Sequence, residues 1–139
     1  MITVEIVDKL SPILEEKMER GLDQYGISHD ITVNYKRFSF ILRVSQDVVG
    51  ILNAFHSYNS IHIEDLWVDS THRGKGYGKQ LIENLVDHFK DHGFDNINCI
   101  TCDYQDPDFY RKCGFQEEFV RVNNKNPKLT MTFFIKFFE

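Results

Sequence analysis

The stretch that decides the fold runs from residue 66 to residue 78 and reads Leu66-Trp67-Val68-Asp69-Ser70-Thr71-His72-Arg73-Gly74-Lys75-Gly76-Tyr77-Gly78. A strand-like apolar segment precedes it, and a helical pattern follows it. Three glycines at alternate positions between a strand and a helix let the backbone approach a ligand, and the first amides of the helix favour a negative group. The stretch therefore predicts a binding site for a pyrophosphate.

Two better-known phosphate loops do not fit this stretch. A Walker loop ends in Gly-Lys-Ser or Gly-Lys-Thr, and the dinucleotide fingerprint spaces its glycines differently. Arg73 and Lys75 add positive charge where a phosphate would need it. The sequence thus argues against nucleotide hydrolysis and against hydride transfer. The prediction of a pyrophosphate-binding site is unaffected.

Strand patterns precede the loop. The predicted strands are residues 3–7, 36–44, 48–56 and 61–68, of which the last three form an antiparallel meander. Ser11 and Pro12 predict the start of a helix, with Ser11 as its cap and Gly21 or Gly26 as its end.

Helix and strand patterns alternate after the loop. Leu81, Leu85 and Phe89 lie at helical spacing before a stop at Gly93. A strand over 95–102, a short helix over 107–112 and two strands around 123–128 follow. A strand–helix–strand passage requires a right-handed crossover and a parallel strand pair. The predicted fold is an α/β fold with a mixed, mostly antiparallel sheet and flanking helices.

Composition sets the class of protein. The 139 residues predict a single domain, 1–139, with 42% hydrophobic and 27% charged residues. No apolar run approaches the roughly 20 residues of a membrane span, and the early Glu5 and Asp8 do not resemble a signal peptide, so we expect a cytoplasmic protein. A net charge of −5 argues against a nucleic-acid partner. Cys99, Cys102 and Cys113 are expected to be reduced core thiols.

Two motifs resemble those of the GNAT superfamily of N-acetyltransferases. Arg73-x-x-Gly76-x-Gly78 resembles the superfamily's R/Q-x-x-G-x-G/A loop, and Phe109-Tyr110-Arg111-Lys112-Cys113-Gly114-Phe115 resembles its FYxxxGF segment. The resemblance is firm over about residues 61–119, and Ile63-Glu64-Asp65-Leu66 looks like small-amine and polyamine members. It implies a domain that moves an acetyl group from acetyl-CoA to a primary amine.

The resemblance also implies where acetyl-CoA would bind. The loop amides would hold its pyrophosphate, and the backbone of the preceding strand would hold its pantetheine arm in a gap between two splayed parallel strands. Gln105 stands near the asparagine of many members and is a candidate to replace it. The predicted coenzyme-binding residues are Leu66, Trp67, Val68, Arg73, Gly74, Lys75, Gly76, Tyr77, Gly78 and Gln105.

Two catalytic roles follow, because an alkylammonium must lose a proton before it attacks and the departing thiolate benefits from gaining one. Tyr110 matches the superfamily's acid, and Glu64 matches the base proposed for small-amine members, acting directly or through water. Asp65 is a rival base and a candidate to bind the ammonium, and His62 is a third candidate. Since neighbouring strand residues point to opposite faces, we expect only one of Glu64 and Asp65 to face the cleft.

The sequence says less about the site that binds the acceptor amine. We predict that it is held by the turn near Tyr25 and by the closing hairpin, where Phe119, Arg121 and Phe133-Phe134 lie. An exposed terminal strand could also pair with a second copy, so a homodimer is a further hypothesis. No metal is expected, because His88-x-x-x-His92 lacks the glutamate of a zinc motif. The alternatives left open are an acyl-CoA sensor, a protein or peptide acetyltransferase, and an interaction module.

Overall fold

The computed structural model describes all 139 residues, which form two compact units, Met1–Asn34 and Tyr35–Glu139. The first unit contains helix α1 (Pro12–Ile27). Ser11 caps this helix as predicted, accepting the Leu14 amide at 3.4 Å, and the helix passes Gly21 before it ends. The single domain stays a prediction.

The predicted strand over residues 3–7 is wrong. Residues 1–10 contain no strand, and every strand of the sheet lies between residues 36 and 137. Alternating apolar residues create an apolar side, but a strand persists only where another strand completes its hydrogen bonds. Periodicity alone could not reveal that this partner is missing.

The second unit is a six-stranded sheet in the order β1-β2-β3-β4-β6-β5. In chain order its elements are β1 (Lys36–Val44), β2 (Asp47–Ser57), β3 (Ser60–Val68), α2 (Tyr77–Phe89), β4 (Asn96–Cys102), α3 (Asp108–Lys112), β5 (Gln116–Arg121) and β6 (Met131–Phe137). Only β3 and β4 are parallel, and all other pairs are antiparallel. The predicted mixed α/β sheet is confirmed.

The core lies between α2 and one face of the sheet. The helix buries Leu81, Ile82, Leu85 and Phe89. The residues that they join in one buried cluster include Leu52, Ala54, Ile61, Ile63, Ile97, Cys99, Tyr110, Phe115 and Phe134. Burying such a side chain contributes roughly 1.5–3 kcal/mol, which fixes α2 and the loop before it against the sheet. None of the helices is long and apolar enough to cross a membrane.

The opposite face of the same sheet carries different residues. Register places His62, Asp65 and Ile100 on this second face, together with Phe119 and Phe133 from the last two strands. We call it the outer face. Ile100 and Phe119 are 44% and 48% exposed there, whereas the neighbouring Cys99 and Phe134 are buried on the core face.

Candidate functional site

A cleft of about 770 Å³ opens where the parallel strands separate. β3 and β4 are paired only at Ser60, Ile61 and His62 opposite Asn96, Ile97 and Asn98. Beyond these pairs the strand edges diverge, and their backbone amides and carbonyls are left to find other partners. The residues lining the cleft are Glu64, Asp65, Leu66, Trp67, Val68, His72, Arg73, Gly74, Tyr77, Gly78, Ile100, Thr101, Tyr104, Gln105, Asp106, Phe109 and Tyr110.

The cleft brings together most of the residues predicted to bind the coenzyme. All three strand residues line it, as do Arg73, Gly74, Tyr77, Gly78 and Gln105. Lys75 and Gly76 belong to the same loop but are not among the lining residues. The backbone gap and the loop thus fit an elongated ligand with a phosphorylated end.

The three glycines of the loop serve two different needs. Gly74 and Gly76 have φ values of +77° and +82°, and nothing lies within 4 Å of a Cβ added to either, so their requirement is conformational. A Cβ on Gly78 would lie 3.1 Å from the Phe109 ring, so that glycine permits close packing of α2 against α3. Gly76 is also the residue before α2, and the first helical bond runs from Gln80 to its carbonyl. The amides of residues 77–79 therefore precede the helical ladder and suit an anion.

Side chains around the loop hold its shape. Arg73 donates from Nε to the Val68 carbonyl at 3.1 Å, which ties the loop back to the end of β3. Asp69 accepts hydrogen bonds from the Thr71 hydroxyl and from His72 Nδ1, the latter at 3.0 Å. These two hydrogen bonds lower the pKa of the Asp69 carboxyl, and the bond from Thr71 has the larger effect. The Asp69 carboxyl therefore stays ionised and holds the side chains of Thr71 and His72 in place beside the cleft.

Both neighbouring carboxylates line the cleft, so the prediction that only one of them would do so is wrong. Asn53 pairs with Asp65 and the next residue, Ala54, pairs with Ile63, which leaves Glu64 as an extra residue without a partner. This is a β-bulge, and a bulge re-aims side chains by breaking the alternation of faces. The alternation rule fails here because the strand is not regular.

The two carboxylates are held in different ways. Glu64 Oε1 accepts from Nε and Nη2 of Arg37, each at 3.0 Å. Asp65 Oδ2 accepts from the side-chain amide of Asn53 at 3.2 Å, and Asn53 in turn accepts from the Ser39 hydroxyl at 2.6 Å. One carboxylate is thus paired with a cation and the other with a neutral amide.

Tyr110 lies on α3, where it is 9% exposed and still lines the cleft. Its ring contacts Phe109, Phe115 and Phe134 at centroid distances of 5.2, 5.5 and 5.7 Å. Burial, and then the nearby thiols of Cys99 and Cys113, raise the pKa of the Tyr110 hydroxyl above the usual range for a phenol. The hydroxyl therefore keeps its proton at neutral pH and acts as a donor.

Three further predicted residues, of which Gln105 lines the cleft, make the following contacts. Gln105 Oε1 accepts the Cys102 amide at 3.0 Å, which closes the turn after β4. His62 does not line the cleft, and its Nδ1 lies 2.7 Å from Asn98 Oδ1. Tyr25 belongs to α1 in the first unit, where its ring lies 4.7 Å from the His29 ring at an interplanar angle of 57°. Its role in acceptor binding stays a prediction.

Sequence reasoning missed Arg37 and Asn53, the partners of the two carboxylates. They lie on β1 and β2, 27 and 12 residues away from Glu64 and Asp65. No local motif marks such residues, because only strand register brings them to the site. It also missed Ile100 and Tyr104, which line the cleft from β4 and the turn after it.

Comparison with known proteins agrees with this geometry. The model of the acetyltransferase (GNAT) family matches residues 5–115. A glucosamine 6-phosphate N-acetyltransferase of Arabidopsis thaliana is 39% identical over 127 residues, which span 86% of this chain and 85% of that protein.

Solved structures share the fold. An acetyltransferase from Bacillus cereus ATCC 14579 superposes with a TM-score of 0.77 at 25% identity, covering 96% of this chain and 97% of that one. A Bacillus anthracis str. Ames protein solved in complex with acetyl coenzyme A has a TM-score of 0.64 at 22% identity, covering 74% of this chain and 63% of that one. At this identity the second likeness is one of fold alone.

Proposed function

The chain belongs to the acetyltransferase (GNAT) family, and we propose that it transfers the acetyl group of acetyl-CoA to the amine of a phosphorylated amino sugar. Dependence on acetyl-CoA and transfer to nitrogen belong to the family. The observation that carries the choice of acceptor is the 39% identity, over most of both chains, to a glucosamine 6-phosphate N-acetyltransferase. The pair of carboxylates in the cleft supports a cationic acceptor, because an ammonium needs a negative partner before it is deprotonated.

The donor side of the cleft supplies binding and position. The amides at the start of α2 face the pyrophosphate, and the free edges of β3 and β4 hold the pantetheine arm between them. Holding thioester and amine in contact is worth up to about 7–11 kcal/mol of the barrier. We infer that positioning supplies most of the rate and that few side chains take part in chemistry.

We place the general base at Asp65. Glu64 already accepts two bonds from the Arg37 guanidinium, so a substrate ammonium at Glu64 competes with a resident cation. Asp65 accepts from neutral Asn53, and its charge remains for the ammonium. The bound ammonium gives one proton to Asp65, its nitrogen forms the bond to the acetyl carbon, the carbon–sulfur bond breaks, and the nitrogen releases its second proton to solvent. The assignment of the base to Glu64 stays a prediction, and paired variants separate the two.

For Tyr110 we propose a hydrogen bond to the sulfur as it leaves. A thiol has a pKa near 8.5, whereas burial raises the pKa of Tyr110 above that of an ordinary phenol. Full proton transfer from this phenol to a thiolate is therefore uphill, while donation of a hydrogen bond stabilises the developing charge without moving the proton. In this proposal Tyr110 assists the leaving group by a hydrogen bond and the thiolate takes its proton from solvent, while the role of Tyr110 as the acid stays a prediction.

The test is thiol release from acetyl-CoA with glucosamine 6-phosphate, glucosamine, spermidine, an aminoglycoside and a lysine peptide. We expect the highest kcat/KM for glucosamine 6-phosphate. A preference for spermidine or the peptide would contradict the proposed amino-sugar acceptor but would still support N-acetyltransferase activity. Calorimetry that detects acetyl-CoA binding without turnover of any amine would favour the sensor instead. The cytoplasmic location and the homodimer remain predictions.

A further inference from the structure

The outer face carries an arginine and two aromatic rings beside the mouth of the cleft. Phe119 and Phe133 stack at a centroid distance of 4.2 Å and an interplanar angle of 14°. The Arg121 guanidinium lies 5.8 Å from the centre of the Phe119 ring and 5.1 Å from that of Phe133. We call these three residues the aromatic platform.

Register connects the platform to the cleft. Ile100, which lines the cleft, pairs with Phe133 on β6, and Phe133 pairs with Phe119 on β5. Directly paired residues share a face of the sheet, so the three side chains form a continuous row on the outer face. With neighbouring strands about 4.8 Å apart, Phe119 lies roughly 10 Å from β4 across the sheet. The platform thus begins one strand away from the cleft.

The charges on the outer face are separated. Glu64 and Asp65 lie at the β3 wall of the cleft, where Asp65 shares the outer face with Ile100. The Arg121 guanidinium lies over the rings of Phe119 and Phe133, and no carboxylate is within ion-pair distance of it, since the ion pairs of the structure involve three other arginines, one lysine and a histidine. Its positive charge is held over the rings by cation–π contact and remains available for an anion.

From this arrangement we propose that the aromatic platform is the subsite for the sugar ring and phosphate of the acceptor, with Arg121 binding the phosphate. The inference rests on the proposed function. The acceptor has an ammonium at one end, a phosphate at the other and a largely carbon-bound ring between them. The outer face presents carboxylates at β3, and across the sheet from them the rings of Phe133 and Phe119 with the Arg121 guanidinium beside both. Arginine binds phosphate by paired N–H donors, and the apolar surface that the ring pair leaves uncovered is suited to the C–H groups of a sugar.

The test compares Arg121→Gln with Arg121→Lys and with Arg43→Gln, a control at an exposed arginine on β1 that bonds only the Gln46 carbonyl at 3.4 Å. For Arg121→Gln we expect KM for glucosamine 6-phosphate to rise by about 10- to 100-fold, the usual loss for a charged hydrogen bond. KM for glucosamine and for acetyl-CoA should change little. Arg121→Lys should recover part of the loss, because a point charge remains, and Arg43→Gln should match wild type.

A binding measurement separates this inference from the proposed function. Glucose 6-phosphate carries the ring and phosphate but no amine, so its affinity, followed by calorimetry, reports the platform without turnover. One outcome is that the wild-type protein acetylates no amino sugar and yet binds glucose 6-phosphate more tightly than Arg121→Gln does. That result would support the phosphate subsite and contradict the proposed reaction. If glucosamine 6-phosphate is turned over and Arg121→Gln alters neither its KM nor the binding of glucose 6-phosphate, the subsite is wrong and the reaction stands.

Discussion

The two sides of the cleft are built in opposite ways. The donor side is almost contiguous in sequence, since the end of β3, the glycine loop and the start of α2 lie within residues 66–78. The acceptor side is assembled from four strands, with Arg37 on β1, Asn53 on β2, the two carboxylates on β3 and Ile100 on β4. Binding of the shared coenzyme is thus encoded locally, whereas the choice of acceptor depends on register. Substitutions on the two sides should separate into donor and acceptor effects.

The largest effect is expected at the acceptor-side base. Asp65→Asn should lower kcat by about 100- to 10,000-fold, as expected for loss of a general base. Glu64→Gln, at the neighbouring carboxylate that Arg37 already occupies, should cost less than about tenfold. Steady-state kinetics at saturating acetyl-CoA measure both. A larger loss of kcat for Glu64→Gln than for Asp65→Asn would identify Glu64 as the base. A rise in the KM for acetyl-CoA in either variant would contradict the separation of donor and acceptor effects.

The next effect tests whether register positions the base. Asn53→Ala removes the only side chain seen to donate to Asp65 Oδ2, a hydrogen bond to a charged group worth roughly 1.5–3 kcal/mol. We expect kcat to fall by about tenfold while KM for acetyl-CoA is unchanged. Ser39→Ala, which removes the next hydroxyl in the same chain of hydrogen bonds, is the control and should have a smaller effect. Equal losses in both would point to a general weakening of the sheet.

On the donor side, Gly76→Ala should act through the backbone. Gly76 has a φ of +82°, and a residue with a Cβ pays roughly 1–2 kcal/mol in this left-handed region. We expect KM for acetyl-CoA to rise by about tenfold and KM for the acceptor to stay constant. Gly21→Ala, within α1 and with nothing within 4 Å of the added Cβ, is the matched control. An unchanged KM for acetyl-CoA in Gly76→Ala would contradict the pyrophosphate site.

The smallest effect concerns Tyr110 and pH. Its pKa is raised in the folded state, so the folded protein keeps the proton after the unfolded chain begins to lose it near pH 10. This contribution to stability is complete below pH 10 and declines as pH rises further. Denaturant unfolding between pH 9 and 11 should show a steeper loss for wild type than for Tyr110→Phe. Parallel curves would mean that the hydroxyl titrates normally.

Local chemistry explains what could be predicted and what could not. Ser11 and the spacing of Leu81, Leu85 and Phe89 predict a cap and a helix because each acts within a few residues. The strand at residues 3–7 and the opposed faces of Glu64 and Asp65 failed for one reason. Both were inferred from alternation, and alternation describes a strand only when its neighbour pairs with it residue by residue.

The sequence by itself determined the order of elements from α1 onward, the mixed sheet and the glycine loop, because helix caps, periodicity and the conformational freedom of glycine act over short distances. Only the tertiary structure decided that the bulge brings both carboxylates into the cleft, that Arg37 pairs with one while Asn53 holds the other, and that Arg121 lies over Phe119 and Phe133. These contacts join residues up to 27 positions apart. The register of neighbouring strands sets them, and no single segment carries that information.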